Sequence, residues 1–269
     1  HTSGLVSDSG GGLLGGVIGD HANGTAESLS STATVTSADN FAGGVYGFFH
    51  GSYLRSSWAS GDVSGDYYVG GLVGYFTGDE ISNSYATGNV EAQDSDAGGL
   101  VGLSDTPGFI ANSYATGDVS SVNHNAGGTG GLVGQLYDTT IEDSYATGNV
   151  TDLQSDSDET GGLVGDADNL HVYRSWASGT VTGSEELGGL IGRLDEGLIE
   201  DSYATGDVLG RMDSNVGGLV GEIDLAVIRG SFATGDVTTE GDDAGGLIGD
   251  VDEADIYESY ATGNVIGAE

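Results

Sequence analysis

A Gly-Gly-aliphatic-X-Gly block recurs eight times along the chain and constrains its fold more than any other feature. The eight copies start at Gly43, Gly70, Gly98, Gly130, Gly161, Gly188, Gly217 and Gly245. A second block, Ser-aromatic-Ala-Thr/Ser-Gly-X-Val, begins 14 residues later in seven copies and 15 later in the copy that contains Pro107. The stretch from each Ser to the next Gly-Gly varies from 13 to 17 residues. One arc of the repeat therefore has a fixed length, and the other carries a loop that tolerates insertion.

Three positions of the repeat stay apolar in every copy. They are Val45, Leu72, Leu100, Leu132, Leu163, Leu190, Leu219 and Leu247; Leu54, Ile81, Ile110, Ile141, Val172, Ile199, Ile228 and Ile256; and Val63, Val90, Val119, Val150, Val181, Val208, Val237 and Val265. The segments that hold them are short, rich in β-branched and aromatic residues, and bounded by Gly, Asp, Asn and Ser, which indicates strands. No helical pattern separates the strands, which argues against a βαβ sheet.

One such repeat cannot bury its apolar residues alone, whereas a stack of identical coils can. The sequence therefore predicts an all-β fold, a parallel β-solenoid of about eight coils of 27–32 residues plus a degenerate N-terminal coil. Each apolar residue would lie about 4.8 Å from its counterpart in the next coil. The paired glycines are expected at corners that need either positive φ or close approach of two backbones.

The two ends of the chain differ from the middle. Residues 1–42 contain only weak echoes of the blocks, such as Gly11-Gly12-Leu13-Leu14-Gly15, and are predicted to form a degenerate coil that acts as a cap or docking segment. Residues 43–269 would form the solenoid of eight repeats. We expect the edge of the last coil to be covered either by further repeats of a longer parent chain or by end-to-end association with another copy.

The charge of the chain limits the environments and the partners that are compatible with it. There are 42 acidic residues against five Arg and no Lys, a formal net charge of −37. A Debye length of about 3 Å at 1 M salt would screen most of the resulting repulsion. This acidic, Lys-free composition therefore favours an extracellular protein of a halophilic organism over an acidic secreted protein that uses Ca²⁺ as counter-ion. Nucleic acid is excluded as a partner because phosphate binding needs clustered Lys and Arg. No apolar run approaches 18 residues, so this segment does not insert into a membrane.

An aromatic residue follows the Ser of every second block. The series is Trp58, Tyr85, Tyr114, Tyr145, Trp176, Tyr203, Phe232 and Tyr260. Because every copy has one, we interpret the series as a stacking ladder that fixes coil register, with a sugar-binding platform as the alternative. Thr recurs in six copies, two residues after the aromatic residue. A ladder of Thr side chains makes ice binding a third possible function.

The blocks Gly70-Gly71-Leu72-Val73-Gly74 and Ser84-Tyr85-Ala86-Thr87-Gly88 resemble the GLUG-motif repeats of large secreted and surface proteins, including bacterial IgA-cleaving metalloproteases. The resemblance covers residues 43–269. In those proteases the chemistry resides in a separate zinc domain. The resemblance therefore implies a surface-exposed β-solenoid that serves as a stalk, adhesin or spacer.

No catalytic motif is present in the sequence. The five histidines form no metal-spaced pair, and no Ser or Gly-rich segment has the context of a nucleophile elbow or a P-loop. We therefore expect no enzymatic activity and no required cofactor. The irregular loops supply Asp94, Asp96, Asp156 and Asp158 as candidate ligands for Ca²⁺ or a monovalent cation. Asn23 and Asn149 lie in N-glycosylation acceptor patterns.

The function predicted from these features is that of an extracellular structural or interaction protein of the cell surface. It would be a stalk, an adhesin or a filament subunit of a halophilic organism. The alternative is a carbohydrate-binding or carbohydrate-cleaving β-helix, for which surface glycans would be the partners.

Overall fold

A computed structural model describes residues 1–9, 12–38, 41–94, 96–122, 127–152, 159–211, 215–241 and 243–267. These residues form short β-strands and no helix, so none of them provides a helix that could cross a membrane. Each strand pairs in parallel with the equivalent strand of the next coil, through about nine turns. The predicted parallel β-solenoid is confirmed.

Four sheets run along the rod. The valine sheet comprises Leu5–Ser7, Thr34–Thr36, Val63–Gly65, Val90–Ala92, Val119–Ser121, Val150–Asp152, Val181–Gly183, Val208–Gly210, Val237–Thr238 and Val265–Ile266. The aromatic sheet comprises Ser30–Ser31, Trp58–Ala59, Tyr85–Ala86, Tyr114–Ala115, Tyr145–Ala146, Trp176–Ala177, Tyr203–Ala204, Phe232–Ala233 and Tyr260–Ala261. The glycine sheet comprises Leu14–Gly15, Ala42–Gly43, Val69–Gly70, Ala97–Gly98, Gly128–Gly130, Glu159–Gly161, Leu187–Gly188, Asn215–Gly217 and Asp243–Gly245.

The fourth, or wide, sheet contains two strands from most coils. The first strands are Ile18–Ala22, Tyr46–His50, Val73–Phe76, Val101–Ser104, Val133–Tyr137, Val164–Asp168 and Ile191–Leu194. The second strands are Thr25–Glu27, Tyr53–Arg55, Glu80–Ser82, Gly108–Ala111, Thr139–Glu142, Leu170–Tyr173 and Gly197–Glu200. In the last two coils the pair merges into the single strands Val220–Arg229 and Ile248–Tyr257.

The segment before the first repeat follows the same path as the repeats. Leu14–Gly15, Ile18–Ala22 and Thr34–Thr36 pair in register with the glycine, wide and valine strands of the next coil. Leu5–Ser7 adds one further strand to the valine sheet. Residues 14–36 therefore form a coil of the regular architecture in spite of their weak sequence signal.

The three apolar ladders are present, but they fill two cores. The Leu and Ile ladders lie in a main core between the wide and aromatic sheets, where Leu132 and Ile141 are fully buried. The Val ladder lies in a smaller second core between the valine and glycine sheets, where Val63 packs near Val69. Residues of each ladder are direct partners of their counterparts in the next coil, as in the pairing of Val119 with Val150. Removal of these side chains from water is the main driving force for stacking.

The paired glycines lie between the two cores, at the narrowest part of the cross-section of each coil. A Cβ atom on Gly70 would lie 1.9 Å from the carbonyl oxygen of Val73, and one on Gly71 would lie 2.8 Å from Cβ of Ala86 in the aromatic sheet. Neither glycine has a positive φ. Close backbone approach is therefore the reason for the glycines, and the alternative expectation of positive φ is wrong for them.

Positive φ occurs instead at the residue that precedes the Ser of each second block. These residues are Ser56, Asn83, Asn112, Asp143, Arg174, Asp201, Gly230 and Glu258, with φ between 46° and 58°. Asn, Asp and Gly, which occupy five of these eight positions, tolerate the left-handed conformation, whereas it is unfavourable for Ser56, Arg174 and Glu258. It persists because the backbone on each side is hydrogen-bonded to the neighbouring coils, as in Asn83 N–H to Ala111 O at 3.0 Å.

The invariant Ser that follows this corner forms a buried hydrogen-bond ladder. The backbone N–H of Ser84 donates to Oγ of Ser113 at 3.2 Å, and that hydroxyl donates to the carbonyl of Ala111 at 2.8 Å. The same two bonds recur in successive coils. Only a small side chain with one donor and one acceptor satisfies both groups in this space, which explains why every repeat has Ser here.

We expect Ser113→Ala to lower the free energy of unfolding by about 1–3 kcal/mol, because it leaves the buried Ser84 N–H without its acceptor. Thr116→Ala, an exposed position in the same coil, is the matched control and should change the stability by less than about 0.5 kcal/mol. Chemical denaturation of both variants at constant salt measures the difference. Equal stability of the two variants would show that the Ser ladder does not stabilise the rod.

Candidate functional site

One outward column of the wide sheet departs from the repeat. It lies one residue after the third glycine of each first block, and its members are Asp20, Phe48, Tyr75, Leu103, Gln135, Asp166, Arg193, Glu222 and Asp250. We call this column, with the side chains that border it, the variable ridge. The interior positions next to the column are mostly apolar, as at Phe49, Phe76 and Leu136, with Ser104 as a buried exception. The fold therefore does not dictate the chemistry of the ridge.

The N-terminal part of the ridge is an aromatic patch of Phe41, Phe48, His50, Tyr68 and Tyr75. The rings of Phe48 and Tyr75 stack with centroids 4.8 Å apart, and Phe48 stacks on His50 at 4.6 Å. Phe41 meets Tyr75 edge-on at 5.2 Å and lies 4.9 Å from Tyr68. All five side chains are half-buried, so part of each ring remains in contact with solvent.

A tyrosine of the aromatic patch is fixed by a carboxylate of the next coil. The hydroxyl of Tyr75 donates to Oδ2 of Asp105 at 2.9 Å. Burial, together with this hydrogen bond, raises the pKa of Tyr75 to about 12. The phenol is thus protonated at all physiological pH values, and Asp105 holds its ring in place.

The C-terminal part of the ridge is an acidic patch built around one guanidinium. Nη2 of Arg193 lies 2.9 Å from Oδ1 of Asp195, and its Nε lies 3.9 Å from Glu186 and 4.0 Å from Glu222. Asp224 is 3.9 Å from Nη2. One cation therefore faces four carboxyl groups, and these ion pairs leave a net negative charge.

Burial and crowding change the protonation of this patch. Burial, reinforced by the charges of Glu159 and Glu222, raises the pKa of Glu186 to about 8. Burial also raises the pKa of Asp166, although Gln135 donates a hydrogen bond to its Oδ2 at 2.7 Å. Glu186 therefore holds a proton at neutral pH. The patch offers both a carboxylic acid donor and carboxylate acceptors to a polar ligand.

The aromatic ladder that recurs in every repeat has a different geometry. Consecutive rings from Trp58 to Tyr260 lie with centroids 4.6–5.9 Å apart and interplanar angles of 1–7°. Each inner ring has both faces against neighbouring rings, and sugars stack on ring faces. This geometry favours the register-fixing interpretation over a sugar platform.

The polar column Asp62, Asn89, Asp118, Asn149, Thr180, Asp207, Asp236 and Asn264 also stabilises the stack. Oδ1 of Asp118 accepts the backbone N–H of Asn149 at 2.8 Å, and Oδ1 of Asn149 accepts the N–H of Thr180 at 3.1 Å. Asp and Asn are equivalent in this role because both provide a carbonyl-type oxygen. These carboxylates therefore act as backbone acceptors between coils.

Of the four residues predicted as cation ligands, the structure describes two, Asp94 and Asp96. Asp94 accepts a hydrogen bond from the Tyr67 hydroxyl at 2.6 Å, and Asp96 is buried and accepts the backbone N–H of Gly128 at 2.8 Å. Asp156 and Asp158 lie outside the described residues. Among the described residues, no group of three or more His, Asp or Glu side chains is arranged to hold a metal ion. The cation site at these four residues stays a prediction.

The two glycosylation candidates are both at the surface. Asn23 is exposed and has a φ of 64° in the turn between two strands of the wide sheet. Asn149 is exposed within the polar column, where its side chain already accepts a hydrogen bond. Their modification stays a prediction.

Sequence reasoning missed the variable ridge because its residues were considered one repeat at a time. The signal was available at a single alignment position, the residue after the third glycine. There the copies change from Phe48 and Tyr75 to Asp166, Arg193 and Glu222, while the residue before them is Gly in every copy. The proximity of the ridge to Glu159 and Glu186 could not be anticipated, since Glu159 lies in the glycine sheet and Glu186 directly precedes the next strand of that sheet.

Comparison with known families identifies the repeat. Four segments match the family model described as the GLUG motif, at residues 65–91, 125–151, 183–209 and 213–238. Each match has about the length of one coil and ends within a strand of the valine sheet. No curated protein and no solved structure matched in the corresponding comparisons.

The raised pKa of Glu186 predicts a pH dependence. The ordinary pKa of this side chain is near 4.5 and its folded-state value is about 8, so its contribution to stability is fully present below about pH 4.5 and is lost as the pH rises to about 8. Glu186→Gln should therefore remove part of the decrease in unfolding free energy across this range. Denaturation at a series of pH values in constant salt measures it, with the exposed Glu196→Gln as control. Parallel pH profiles of Glu186→Gln and the wild type would contradict the assignment.

Proposed function

The chain carries repeats of the GLUG-motif family, and from that premise we propose that it is an extracellular structural and interaction protein. In this proposal the solenoid is a rigid rod at the cell surface, as a stalk, adhesin or filament subunit, and the variable ridge is the surface that a partner contacts. We propose no catalytic role for it.

The observation that carries this proposal is the contrast between the regular interior of the rod and its variable outer surface. The Leu, Ile, Val and Ser ladders continue through the repeats in register, and the coils are joined by backbone hydrogen bonds along the whole described length. About nine coils at about 4.8 Å give a rod of roughly 43 Å. Such an array resists bending, while outward positions of the ridge vary freely, as suits a spacer that displays a binding surface.

The net charge of −37 supports a salt-rich extracellular setting. Most carboxylates are on outward positions, and the five Arg can neutralise only a few of them. Arg55, for example, forms a bidentate pair with Glu80 at 3.1 and 2.9 Å. The remaining repulsion destabilises the compact state unless dissolved ions screen it.

The proposal also includes partners that bind at the end of the rod. In the last coil, Ile256 and Val265 continue two ladders that are buried in earlier coils, yet they are 44% and 45% exposed. A further coil, from additional repeats or from another copy, would bury both side chains and pair the backbone beside them.

A second candidate function, carbohydrate binding, is favoured by the aromatic patch. Half-buried rings of Phe48 and Tyr75 lie beside the carboxylate of Asp105, and partly exposed rings next to a hydrogen-bond acceptor suit a polyhydroxylated ligand. In this case a surface glycan would bind across the first coils of the ridge.

We expect the fold to need molar salt. Circular dichroism in a KCl series from about 0.05 to 3 M should show the melting temperature rising steeply and then levelling as the Debye length falls from about 14 Å to below 3 Å. A melting temperature that stays constant across the series would contradict salt adaptation. It would leave the rod-like architecture unaffected.

The glycan alternative has its own test. Phe48→Ala and Tyr75→Ala should each weaken binding of the wild-type protein's glycan ligands on an array by about tenfold or more, the effect of losing one aromatic contact. Tyr173→Ala, which removes a half-buried ring from another part of the wide sheet, is the matched control. Absence of any bound glycan at molar salt would eliminate this second function.

A further inference from the structure

One surface column of the wide sheet contains a single apolar residue. The column lies where the first strand of each coil passes into the second, and in the last five repeats its members are Asp138, Asn169, Glu196, Leu225 and Glu253. All five are at the surface, and Leu225 is 50% exposed. Leu225 therefore departs from the repeat, and it lies in the stack between two glutamates.

A groove lies beside Leu225, where the neighbouring column has small residues. In that column the fully buried Leu170 pairs with Gly197, and the next two members are Ala226 and Ala254. A Cβ atom on Gly197 would lie 2.0 Å from the carbonyl oxygen of Leu170, so a larger residue does not fit there. The groove has a volume of about 310 Å³ and extends across three coils.

The groove combines an apolar floor with an acidic rim. Leu225 and the half-buried Val227 supply apolar surface, and the exposed Glu253 and Asp255 supply two carboxylates. No Lys, Arg or His lines it. A ligand that fills this groove must therefore offer apolar surface to the floor and positive charge to the rim.

The two carboxylates at the rim are not neutralised within the chain. Among the described residues, no Arg or His forms an ion pair with either of them. Arg229 of the same sheet instead lies 3.7 Å from Glu200, with its guanidinium 5.9 Å from the ring centroid of Tyr257. The negative charge of the rim is thus available to a partner.

We propose that this groove binds a basic segment of a partner protein and takes the side chain of a Lys or Arg. The aliphatic stem of that side chain packs on Leu225 and Val227, while its charged end stays at the rim beside Glu253 and Asp255. An acidic segment would be repelled, and an apolar one would leave the carboxylates unpaired. The proposal does not rest on the variable ridge, which is a different column of the wide sheet.

A protein segment fits the groove better than a small cation does. Ligand pockets commonly have volumes of about 300–1,000 Å³, and the lower end of this range suits one long side chain with its adjoining backbone. Exposed carboxylates continue beyond the groove at Glu196 and Asp252, so an extended segment with several basic residues meets negative charge along its length. A small cation would contact only the rim, where dissolved salt competes with it.

Fluorescence anisotropy of labelled peptides with the full chain tests the proposal, in about 0.5 M KCl with the fold verified by circular dichroism. The probes are a peptide of alternating Lys and Ser, the same peptide with 2,4-diaminobutyrate in place of Lys, and one of alternating Glu and Ser. We expect the diaminobutyrate peptide to bind about tenfold more weakly than the Lys peptide, because each side chain has two fewer methylene groups to bury. The Glu peptide should not bind.

Variants of the groove separate its floor from its rim. Leu225→Glu restores the polar residue of the column and adds negative charge, yet it should weaken binding of the Lys peptide about tenfold by removing the apolar floor. Glu253→Gln/Asp255→Asn should weaken it about fivefold. Glu240→Gln/Glu258→Gln removes the same two charges from exposed positions outside the groove and should change the affinity by less than about twofold.

Three results would overturn the proposal. Tighter binding to Leu225→Glu would show that charge alone attracts the peptide, and an equal loss in the control pair would show that the attraction is not specific to the groove. The third is displacement of the Lys peptide by spermine at an equal concentration of amino groups. That result would make the groove a site for small cations.

Discussion

Close approach of backbones at the paired glycines is the constraint on which the rest of the structure depends. A Cβ atom on Gly71 would lie 2.1 Å from the carbonyl oxygen of Gly99 and 2.8 Å from Cβ of Ala86. This contact brings the glycine sheet against the aromatic sheet and divides the cross-section into two cores. It also requires every coil to place the same residue at the same height. The in-register Leu, Ile, Val and Ser ladders follow from that requirement.

Identical stacking favours side chains that interact with copies of themselves. Leu and Val do so by packing, the aromatic rings by parallel contact at 4.6–5.9 Å, and Ser113 by a hydroxyl that serves two coils. Asp would repel its own copy about 4.8 Å away, yet Asp118 accepts a backbone N–H and Asn occupies the next coil. Acidic residues are therefore compatible with the stack when their charge is diluted by Asn or screened by salt.

Residues that break the repeat lie in two distinct surroundings. The variable ridge is outward and half-buried, so its changes from Phe48 to Arg193 cost the fold little and are available for recognition. Positions that face the second core are different, because Ser121, Thr129 and Thr160 are buried there and a polar residue in an interior is costly unless it forms hydrogen bonds. The ridge is therefore the part of the repeat whose variation can serve a macromolecular or glycan partner. It depends on a rod whose regular interior positions it.

The sequence alone determined the fold class, the coil length and the three apolar ladders. Because the repeat is strict, Leu132, Ile141 and Val150 can be buried together with their counterparts only when identical coils stack. It also indicated a stacking role for the aromatic series. The tertiary structure decided which ladders share a core, why Gly70 and Gly71 are glycines, and where positive φ occurs, since these depend on contacts between sheets far apart in sequence. It alone brought Glu186 beside Arg193 and Glu222. Periodicity specifies what is identical in each coil, whereas the juxtaposition of residues that differ is set only when the coils close and stack.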